Sequence, residues 1–318
     1  MRVITADEID GLLSFPDLIE ALRAAFAADF VTPPRQHFEI GHGADAATAL
    51  IMPSWSGNAP GPGAYLGTKL VNVFPANGAR GLPAVLGTYV LMSGETGAPL
   101  AAMDGTRLTH WRTAAASGLA ASYLARPEAS RLAMVGAGAL APFLIRAHAS
   151  QRPIGDVAIW NHRAERAEKL AEDLALQGIA ARYEPDLERA VRTADLVSCA
   201  TLSNLPLVKG AWLRPGMHLD LVGAFNLQMR EADDEAVRTS DLFIDTPSAL
   251  TEGGDIALAL RAGIIGRDDI QATLADLARG NHGGRASGES LTLFKSIGSA
   301  LEDLAAAILV WRKTGGEG

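Results

Sequence analysis

Residues 131–142, RLAMVGAGALAP, constrain the fold more than any other part of the chain. A short apolar run, predicted to be a strand, leads directly into a glycine turn and then into a predicted helix. Gly136 permits the tight turn, Gly138 lets the backbone approach a phosphate closely, and Ala141 is small enough for the helix to pack on the strand. The segment predicts a dinucleotide-binding turn, with the pyrophosphate at the helix N-terminus. The residues that we expect to contact the cofactor here are Gly136, Ala137, Gly138, Ala139, Leu140 and Ala141.

A second predicted strand, residues 156–160, ends where a dinucleotide site reads the ribose. Sites for NAD(H) usually carry Asp or Glu at this point, and this chain reads Asn161-His162-Arg163. Asn161 can hydrogen-bond a 2′-phosphate without repelling it, and the planar Arg163 guanidinium suits phosphate geometry. We therefore expect NADP(H) to be favoured over NAD(H). The alternative is that these residues are only solvated groups at a strand end.

Predicted strands and helices alternate after residue 131, which is typical of a doubly wound parallel sheet. The predicted strands are 131–135, 156–160, 196–200, 218–222 and 242–245, and the helices are 165–177, 186–193 and 231–237. Before residue 131, an amphipathic helix (14–26) precedes a small antiparallel region with strands 48–52, 65–74 and 84–91, and an alanine-rich helix (108–125) follows. A last helix is predicted over 296–312, with a disordered tail at 315–318.

Composition excludes several classes of protein. The 318 residues include 36 acidic and 28 basic side chains, a net charge of -8, and no Lys/Arg block suited to a phosphate backbone, so nucleic acid is not an expected partner. No apolar run reaches the roughly 18 residues that span a bilayer, and the N-terminus lacks a signal peptide. We expect a cytoplasmic protein without a membrane partner. The single cysteine, Cys199, lies in a strand-like run and predicts a buried thiol, and no ligand spacing indicates a metal.

Three cations outside the nucleotide-binding region are candidates for binding a substrate: Arg35, Lys69 and Arg112. Each one alone is more often a surface charge. Lys69 is the unusual one because it interrupts an apolar strand, and a buried lysine needs an anionic partner, for which a small carboxylate substrate is one candidate. His37 and His110 lie near these cations in sequence and could relay protons, although solvated or core roles are commoner for histidine.

Several segments together resemble one known family over almost the whole chain. They are KLVNVFPAN (69–77), GETGAPL (94–100), LTHWRTAAAS (108–117), VGAGA (135–139), GMHLDLVG (216–223) and FKSIG (294–298). This set resembles the ornithine cyclodeaminase/μ-crystallin family. The resemblance implies an α/β fold in which a Rossmann-type doubly wound parallel sheet, residues 116–294, is inserted into a smaller α+β substrate-binding and dimerisation domain, residues 1–115 plus 295–318. It also implies a homodimer formed through the β region.

The resemblance assigns roles to individual residues. Arg35, Lys69 and Arg112 match the positions that bind the substrate carboxylate, with Lys69 and Arg112 as the catalytic candidates. The positions expected to meet the cofactor beyond the glycine turn are Thr113, Thr201, Val222 and Gly223.

Two departures from the family pattern select a branch. Phe225 stands where cyclodeaminases carry an acidic residue, and Leu50 aligns with a second acidic position. Burying the extra ammonium of ornithine without a partner would cost several kcal/mol, so an apolar ring fits better, with Phe225 as part of its binding site. The segment LVGAFNLQMREADD (221–234) is similar to the branch that reduces cyclic ketimines.

The expected reaction is NAD(P)H-dependent reduction of Δ1-pyrroline-2-carboxylate to L-proline, and of the six-membered Δ1-piperideine-2-carboxylate to L-pipecolate. The partner is thus a small carboxylate with a C=N bond, and Lys69 or a water that it positions is the first candidate for the proton donor. Three alternatives stay open: an amino-acid dehydrogenase of the alanine type, an ornithine cyclodeaminase, and a non-catalytic small-molecule binder.

Overall fold

The computed structural model describes residues 1–43, 46–57, 61 and 63–316. The chain forms two compact units. Unit 1 comprises Met1–Thr113 and Ser299–Gly318, and unit 2 comprises Ala114–Gly298. These limits differ by a few residues from the sequence-based boundaries at 115/116 and 294/295. The roles given to the two parts remain predictions.

Secondary-structure elements are numbered in chain order. The strands are β1 (Arg2–Ile4), β2 (Phe30–Val31), β3 (Gln36–Ile40), β4 (Ala47–Ser56), β5 (Tyr65–Val73), β6 (Val85–Ser93), β7 (Pro99–Asp104), β8 (Arg131–Val135), β9 (Asp156–Trp160), β10 (Ala181–Tyr183), β11 (Leu196–Cys199), β12 (His218–Leu221), β13 (Asp241–Ile244), β14 (Ile270–Thr273) and β15 (Thr292–Lys295). The helices are α1 (Ala6–Leu12), α2 (Phe15–Ala27), α3 (Gly105–Leu124), α4 (Ala141–Gln151), α5 (Ala164–Ala175), α6 (Leu187–Thr193), α7 (Asp234–Arg238), α8 (Ala249–Glu252), α9 (Gly254–Arg261), α10 (Leu274–Arg279) and α11 (Ala300–Lys313).

Unit 1 is built on a seven-stranded sheet of order β1-β7-β6-β5-β4-β2, with β3 also paired to β4. The small antiparallel region predicted over residues 35–100, with strands at 48–52, 65–74 and 84–91, is confirmed in β4, β5 and β6. The sheet is mixed, because the short N-terminal strand β1 adds to β7 in parallel. Strands β4, β5 and β6 pair antiparallel, and α11 packs against all three of them. The last helix of the chain therefore packs on a sheet that is formed by the first 104 residues.

Unit 2 is built on an eight-stranded sheet of order β10-β9-β8-β11-β12-β15-β13-β14. All of its pairings are parallel, which confirms the predicted doubly wound sheet. Strand β15 was not predicted, although it lies inside the sheet between β12 and β13. Its four residues are all buried, so they show no alternation of apolar and polar side chains.

The predicted helix over 231–237 was wrong at its start. The helix α7 begins at Asp234, because the Asp233 side chain accepts a hydrogen bond from Ala236 N–H and caps it. Glu231 lies before the helix, with its side chain buried.

The predicted last helix also began too early. Helix α11 starts at Ala300, where Ser299 caps it, and it ends in a hydrogen-bonded turn that includes Gly315 and Gly316. The remainder of the predicted disordered tail, residues 317–318, lies outside the described residues. The Cys199 thiol is buried, as predicted, and burial raises its pKa well above the usual value. None of the helices in the described ranges is long and apolar enough to span a bilayer.

Candidate functional site

The two glycines of the glycine turn in unit 2 have different roles: the backbone conformation requires one of them, and the other leaves open space beside the backbone. Gly136 has a φ of 109°, and a Cβ there would lie 2.5 Å from the carbonyl oxygen of Ala200. A Cβ on Gly138 would meet no described atom within 4 Å, and Gly138 is exposed. Helix α4 follows with Leu140 as its N-cap, and no side chain of the described residues caps it. Its N-terminal amides are thus placed for an external acceptor.

The ribose-reading turn is organised by Asn161. Its side-chain oxygen accepts a hydrogen bond from Ala137 N–H at 3.2 Å, and its side-chain nitrogen donates to the Arg163 carbonyl at 2.9 Å. The amide that we expected to meet a 2′-phosphate instead joins the end of β9 to the glycine turn. His162 and Arg163 are exposed, so Arg163 is the better placed of these residues to meet a ligand.

Three predicted cofactor positions lie at one edge of the unit 2 sheet. Gly136, Thr201 and Val222 come at or shortly after the carboxyl ends of β8, β11 and β12, which are neighbours in the parallel sheet. Ligands of such sheets bind at this edge. Sequence reasoning missed the residue that joins two of these turns, Glu231, because we assigned it to a helix. The carboxylate of Glu231 accepts hydrogen bonds from the amides of Thr201 and Gly223 at 2.7 Å each.

Unit 1 brings Lys69 and Arg112 together at one carboxylate. Asp303 lies 2.7 Å from the Lys69 ammonium and accepts a 2.9 Å hydrogen bond from Arg112 Nε. Arg112 also donates through Nη1 to Glu302 at 2.9 Å. The four residues come from β5, α3 and α11 and are at most 5% exposed. Two of the three predicted substrate cations thus form one buried cluster with two acids.

The charges in this cluster shift one another's pKa values. Burial and the nearby Arg112 charge lower the pKa of Lys69 to about 8, although Asp303 opposes this shift. Burial alone would raise the pKa of Asp303, but Arg112 and Lys69 outweigh it and the net shift is downward. Lys69 can therefore change its protonation state near neutral pH, whereas Asp303 stays ionised.

Apolar neighbours explain why burial affects Lys69 so strongly. Met52 and Tyr89 are its cross-strand partners on β4 and β6, and both are buried. Leu50 lies two residues before Met52 and pairs with Val71, so it shares the sheet face of Lys69. An apolar side chain therefore lies near Lys69 on this face.

The other predicted site residues are distributed over both units and differ in their burial. Arg35 is half-buried, and its charge contributes to lowering the Lys69 pKa. Thr113 is buried in α3 at the end of unit 1, and Phe225 is 45% exposed in unit 2. His37 is exposed on β3. Burial and the nearby Arg107 charge lower the pKa of His110, which favours its neutral form.

Sequence reasoning missed Glu302 and Asp303. Both lie in the first turn of α11, where acidic residues commonly interact with the helix dipole. A signal was nevertheless present, since the two acids precede the apolar run LAAAILVW, which indicates a buried helix.

The chain is similar to known proteins of one family. The profile of the ornithine cyclodeaminase/mu-crystallin family matches residues 2–317. The Arabidopsis thaliana protein SAR DEFICIENT 4 is 41% identical over 96% of this chain and 95% of its own length. A Δ(1)-pyrroline-2-carboxylate reductase of Paracoccus denitrificans is 37% identical over 99% of this chain and 98% of its own.

Two solved structures show the same fold over the whole chain. The Δ(1)-pyrroline-2-carboxylate reductase of Thermococcus litoralis, in complex with NADH and L-proline, superposes with a TM-score of 0.93 at 33% identity and covers 100% of this chain and 99% of its own. An archaeal alanine dehydrogenase, a dimer with bound NAD, has a TM-score of 0.90 at 32% identity and covers 99% and 96%. The family profile covers almost the whole chain and the relatives match it over nearly their full length, so the chain belongs to the ornithine cyclodeaminase/mu-crystallin family.

Proposed function

We propose that this protein is an NAD(P)H-dependent oxidoreductase that reduces the C=N bond of a cyclic ketimine carboxylate, Δ1-pyrroline-2-carboxylate, to L-proline. The six-membered Δ1-piperideine-2-carboxylate is a second substrate of the same class. The observation that carries the proposal is the buried cluster of Lys69 and Arg112, oriented by Asp303 on an otherwise apolar sheet face. The similarity to the Thermococcus litoralis reductase, whose structure contains NADH and L-proline, supports it.

The cluster can still bind a carboxylate although it contains two acids. In the described residues the acids engage Nε and Nη1 of Arg112, so Nη2 is the atom that would meet a substrate oxygen. The Lys69 ammonium has three protons, and its described partners are Asp303 and, at 3.4 Å, the Thr109 hydroxyl. Asp303 and Glu302 thus orient the cations toward a carboxylate.

The same charges argue against ornithine. A diamino acid would bring a second ammonium, and the two acids of the cluster already bind Lys69 and Arg112. Leu50 and Phe225 occupy the positions where cyclodeaminases carry acids. A ring of methylene groups has no such charge to satisfy.

A bound dihydronicotinamide would supply the hydride to the C=N carbon. The residues of unit 2 fit such a dinucleotide, because Gly138 is open and the N-terminus of α4 has no side-chain cap among the described residues. The nitrogen must gain a proton in the same reaction. Lys69 is our candidate donor, because a pKa of about 8 makes its ammonium a far stronger acid than an exposed lysine.

We further propose that the protein prefers NADP(H) over NAD(H). The two solved neighbours contain NADH and NAD, so the preference depends on the ribose-reading turn of this chain alone. That turn lacks a carboxylate, and it exposes Arg163 one residue before helix α5. A guanidinium at this position suits a 2′-phosphate.

An alanine-type dehydrogenase is the second candidate, favoured by the similarity to the archaeal enzyme. It would share the carboxylate-binding cations and the cofactor, and it would use an open-chain imine formed from pyruvate and ammonia. The two activities differ in whether an apolar ring is recognised.

We also propose a homodimer formed through the sheet of unit 1. Lys69 faces α11, so the next residue, Leu70, points from the opposite face, where it is 41% exposed. Phe38 and Leu86 share that face by strand register and are 48% and 45% exposed. Most side chains of this face are apolar, although Thr68, Asn72 and Thr88 lie among them; the apolar ones are Phe38, Ile51, Trp55, Leu66, Leu70, Leu86, Val90 and Met92. A second copy of this face would bury it, as large exposed apolar surfaces usually require.

A substrate comparison tests the activity. With NADPH, we expect turnover of Δ1-pyrroline-2-carboxylate and Δ1-piperideine-2-carboxylate, measured as loss of absorbance at about 340 nm, with L-proline as the first product. Pyruvate with ammonia should react at least tenfold more slowly, because it lacks the ring methylenes. L-Ornithine with oxidised cofactor should release no ammonia. Ammonia release from ornithine, or faster turnover of pyruvate with ammonia, would overturn the assignment.

The cofactor preference is tested at Arg163. The wild type should have a higher kcat/KM with NADPH than with NADH, and Arg163→Ala should reduce the NADPH value about tenfold, because one charge-assisted phosphate contact is lost. The NADH value should change little. Lys169→Ala removes an exposed charge from helix α5, which begins directly after Arg163, and serves as the control. Equal wild-type values for the two cofactors would show that our interpretation of the turn is wrong.

The acid role of Lys69 predicts a pH dependence. The protonated donor is lost as pH rises through about 8, so kcat/KM should fall above that pH. Asp303 raises the Lys69 pKa, and Asp303→Asn should therefore move the fall to lower pH. Glu302→Gln is the matched control, since it removes a neighbouring buried carboxylate that binds Arg112. The prediction fails if both variants move the profile equally or if neither moves it.

The dimer is tested by sedimentation equilibrium. Wild-type protein should sediment with twice the mass of the chain, and Leu86→Arg should sediment as a monomer, because burying an unpaired guanidinium in an interface is unfavourable. Leu176→Arg, on an 88% exposed leucine of unit 2, is the control and should remain dimeric. A monomeric wild type, or a Leu86→Arg variant that stays dimeric, would contradict the proposed interface.

A further inference from the structure

One buried carboxylate of unit 2 accepts four hydrogen bonds from two separate turns. Glu231 Oε1 accepts from the Thr201 amide at 2.7 Å and the Thr201 hydroxyl at 2.9 Å. Its Oε2 accepts from the amides of Gly223 at 2.7 Å and Ala224 at 3.3 Å. Glu231 is 0% exposed, so water replaces none of these bonds. The side chain thus holds the turn after β11 against the turn after β12.

The two turns are in close backbone contact where Glu231 joins them. A Cβ on Gly223 would lie 2.1 Å from the Thr201 carbonyl oxygen and 2.4 Å from Glu231 Oε1, so only glycine fits there. Both turns follow neighbouring parallel strands, at the edge that also carries Gly136. This is the edge where sheets of this class bind their ligands.

Two further buried side chains position Glu231. Asp255 Oδ1 accepts hydrogen bonds from the amides of Glu231 at 2.8 Å and Ala232 at 3.1 Å, and its Oδ2 lies 3.2 Å from the Lys295 ammonium. Asp255 and Lys295, both 0% exposed, balance each other's charge. Glu231 forms no ion pair of its own among the described residues. Burial and the Asp255 charge raise its pKa to about 7, although the Lys295 charge and the hydrogen bonds from Thr201 oppose this shift, so the carboxylate depends on its donors. A buried charge of this kind is costly unless its donors are fixed in place.

We propose that Glu231 is a positioning residue for the nicotinamide end of the cofactor. By fixing Thr201 and Gly223–Ala224, it orders in advance the backbone that we expect to meet the nicotinamide, so that cofactor binding need not order these turns. The inference depends on the proposed placement of a dinucleotide on unit 2 and is independent of the substrate's identity. The ADP part of the cofactor, which we expect at the glycine turn and the ribose-reading turn, is not expected to depend on Glu231.

Glu231→Gln tests the proposal, because glutamine has the same shape but can accept hydrogen bonds at only one of its two ends. Its NH2 group would face either the donors of Thr201 or those of Gly223 and Ala224, and one turn would lose its acceptor. Affinity is measured by fluorescence titration for the better bound of NADPH and NADH, and by calorimetry for the matching ADP-ribose, which lacks the nicotinamide. We expect the dinucleotide Kd to rise about tenfold and the ADP-ribose Kd to stay within about twofold of wild type.

Two further variants keep the test decisive. Glu235→Gln, an exposed acid nearby in sequence, should bind both ligands like the wild type. Thr201→Val removes the hydroxyl that donates to Glu231 and that accepts a long, 3.4 Å hydrogen bond from Ser203 N–H. It should raise the dinucleotide Kd about threefold without changing the ADP-ribose Kd, which provides a test even if Glu231→Gln does not fold.

The outcomes separate this inference from the proposed function. Unchanged dinucleotide affinity in both Glu231→Gln and Thr201→Val, or an equal loss of dinucleotide and ADP-ribose affinity, would overturn the positioning role. A wild type that binds neither ligand would overturn the cofactor assignment as well. A wild type that binds the dinucleotide but does not reduce the ketimine would overturn the proposed reaction and leave the role of Glu231 to be decided by the affinities.

Discussion

The contact of Asp303 with both Lys69 and Arg112 joins three distant parts of the chain. It connects β5, α3 and the C-terminal helix α11, so the last helix completes a unit that the N-terminal sheet begins. Buried ion pairs add little net stability relative to apolar packing, but removing one partner leaves an unpaired buried charge that costs about 3–5 kcal/mol. The pair therefore restricts which arrangement of α11 is tolerated. The same contact orients the cations that we assign to substrate binding. The packing of α11 in unit 1 and the geometry of the candidate site therefore depend on one interaction.

Unit 2 uses buried carboxylates in a different way, as acceptors for backbone amides in turns. Glu231 binds the amides of Thr201 and Gly223, and Asp245 binds the amides of Ile297 and Gly298 at 2.7 Å each. Amides at such turns cannot bond within a helix or strand, and a buried amide without an acceptor is costly. Charged acceptors bind several amides at once, which gives precise turns without regular secondary structure. This arrangement suits the edge of the sheet at which we propose that the dinucleotide binds.

Much of the fold could be predicted because its signals are local. The strand at 131–135, the turn at Gly136 and the strand at 156–160 have their predicted limits, since apolar runs and glycines mark them directly. Strand β15 and the start of α7 could not be predicted in this way. The first is buried on all sides and has no periodicity. The second is fixed by the Asp233 cap, while Glu231, which we placed in the helix, instead bonds the turns at Thr201 and Gly223, contacts that form only in the folded chain.

The sequence by itself determined the class of fold, the family and the identity of the candidate cations, because strand patterns, glycine turns and a lysine within an apolar strand are visible along the chain. Only the tertiary structure decided what those cations contact. Lys69 and Asp303 are far apart in sequence, and whether a helix-start acid faces solvent or a buried lysine depends on how α11 packs. Asn161 shows the same limit, since its amide suits a phosphate by chemistry but binds Ala137 and Arg163 in the fold. Residue types restrict the chemistry that is available, and packing decides which partner each group meets.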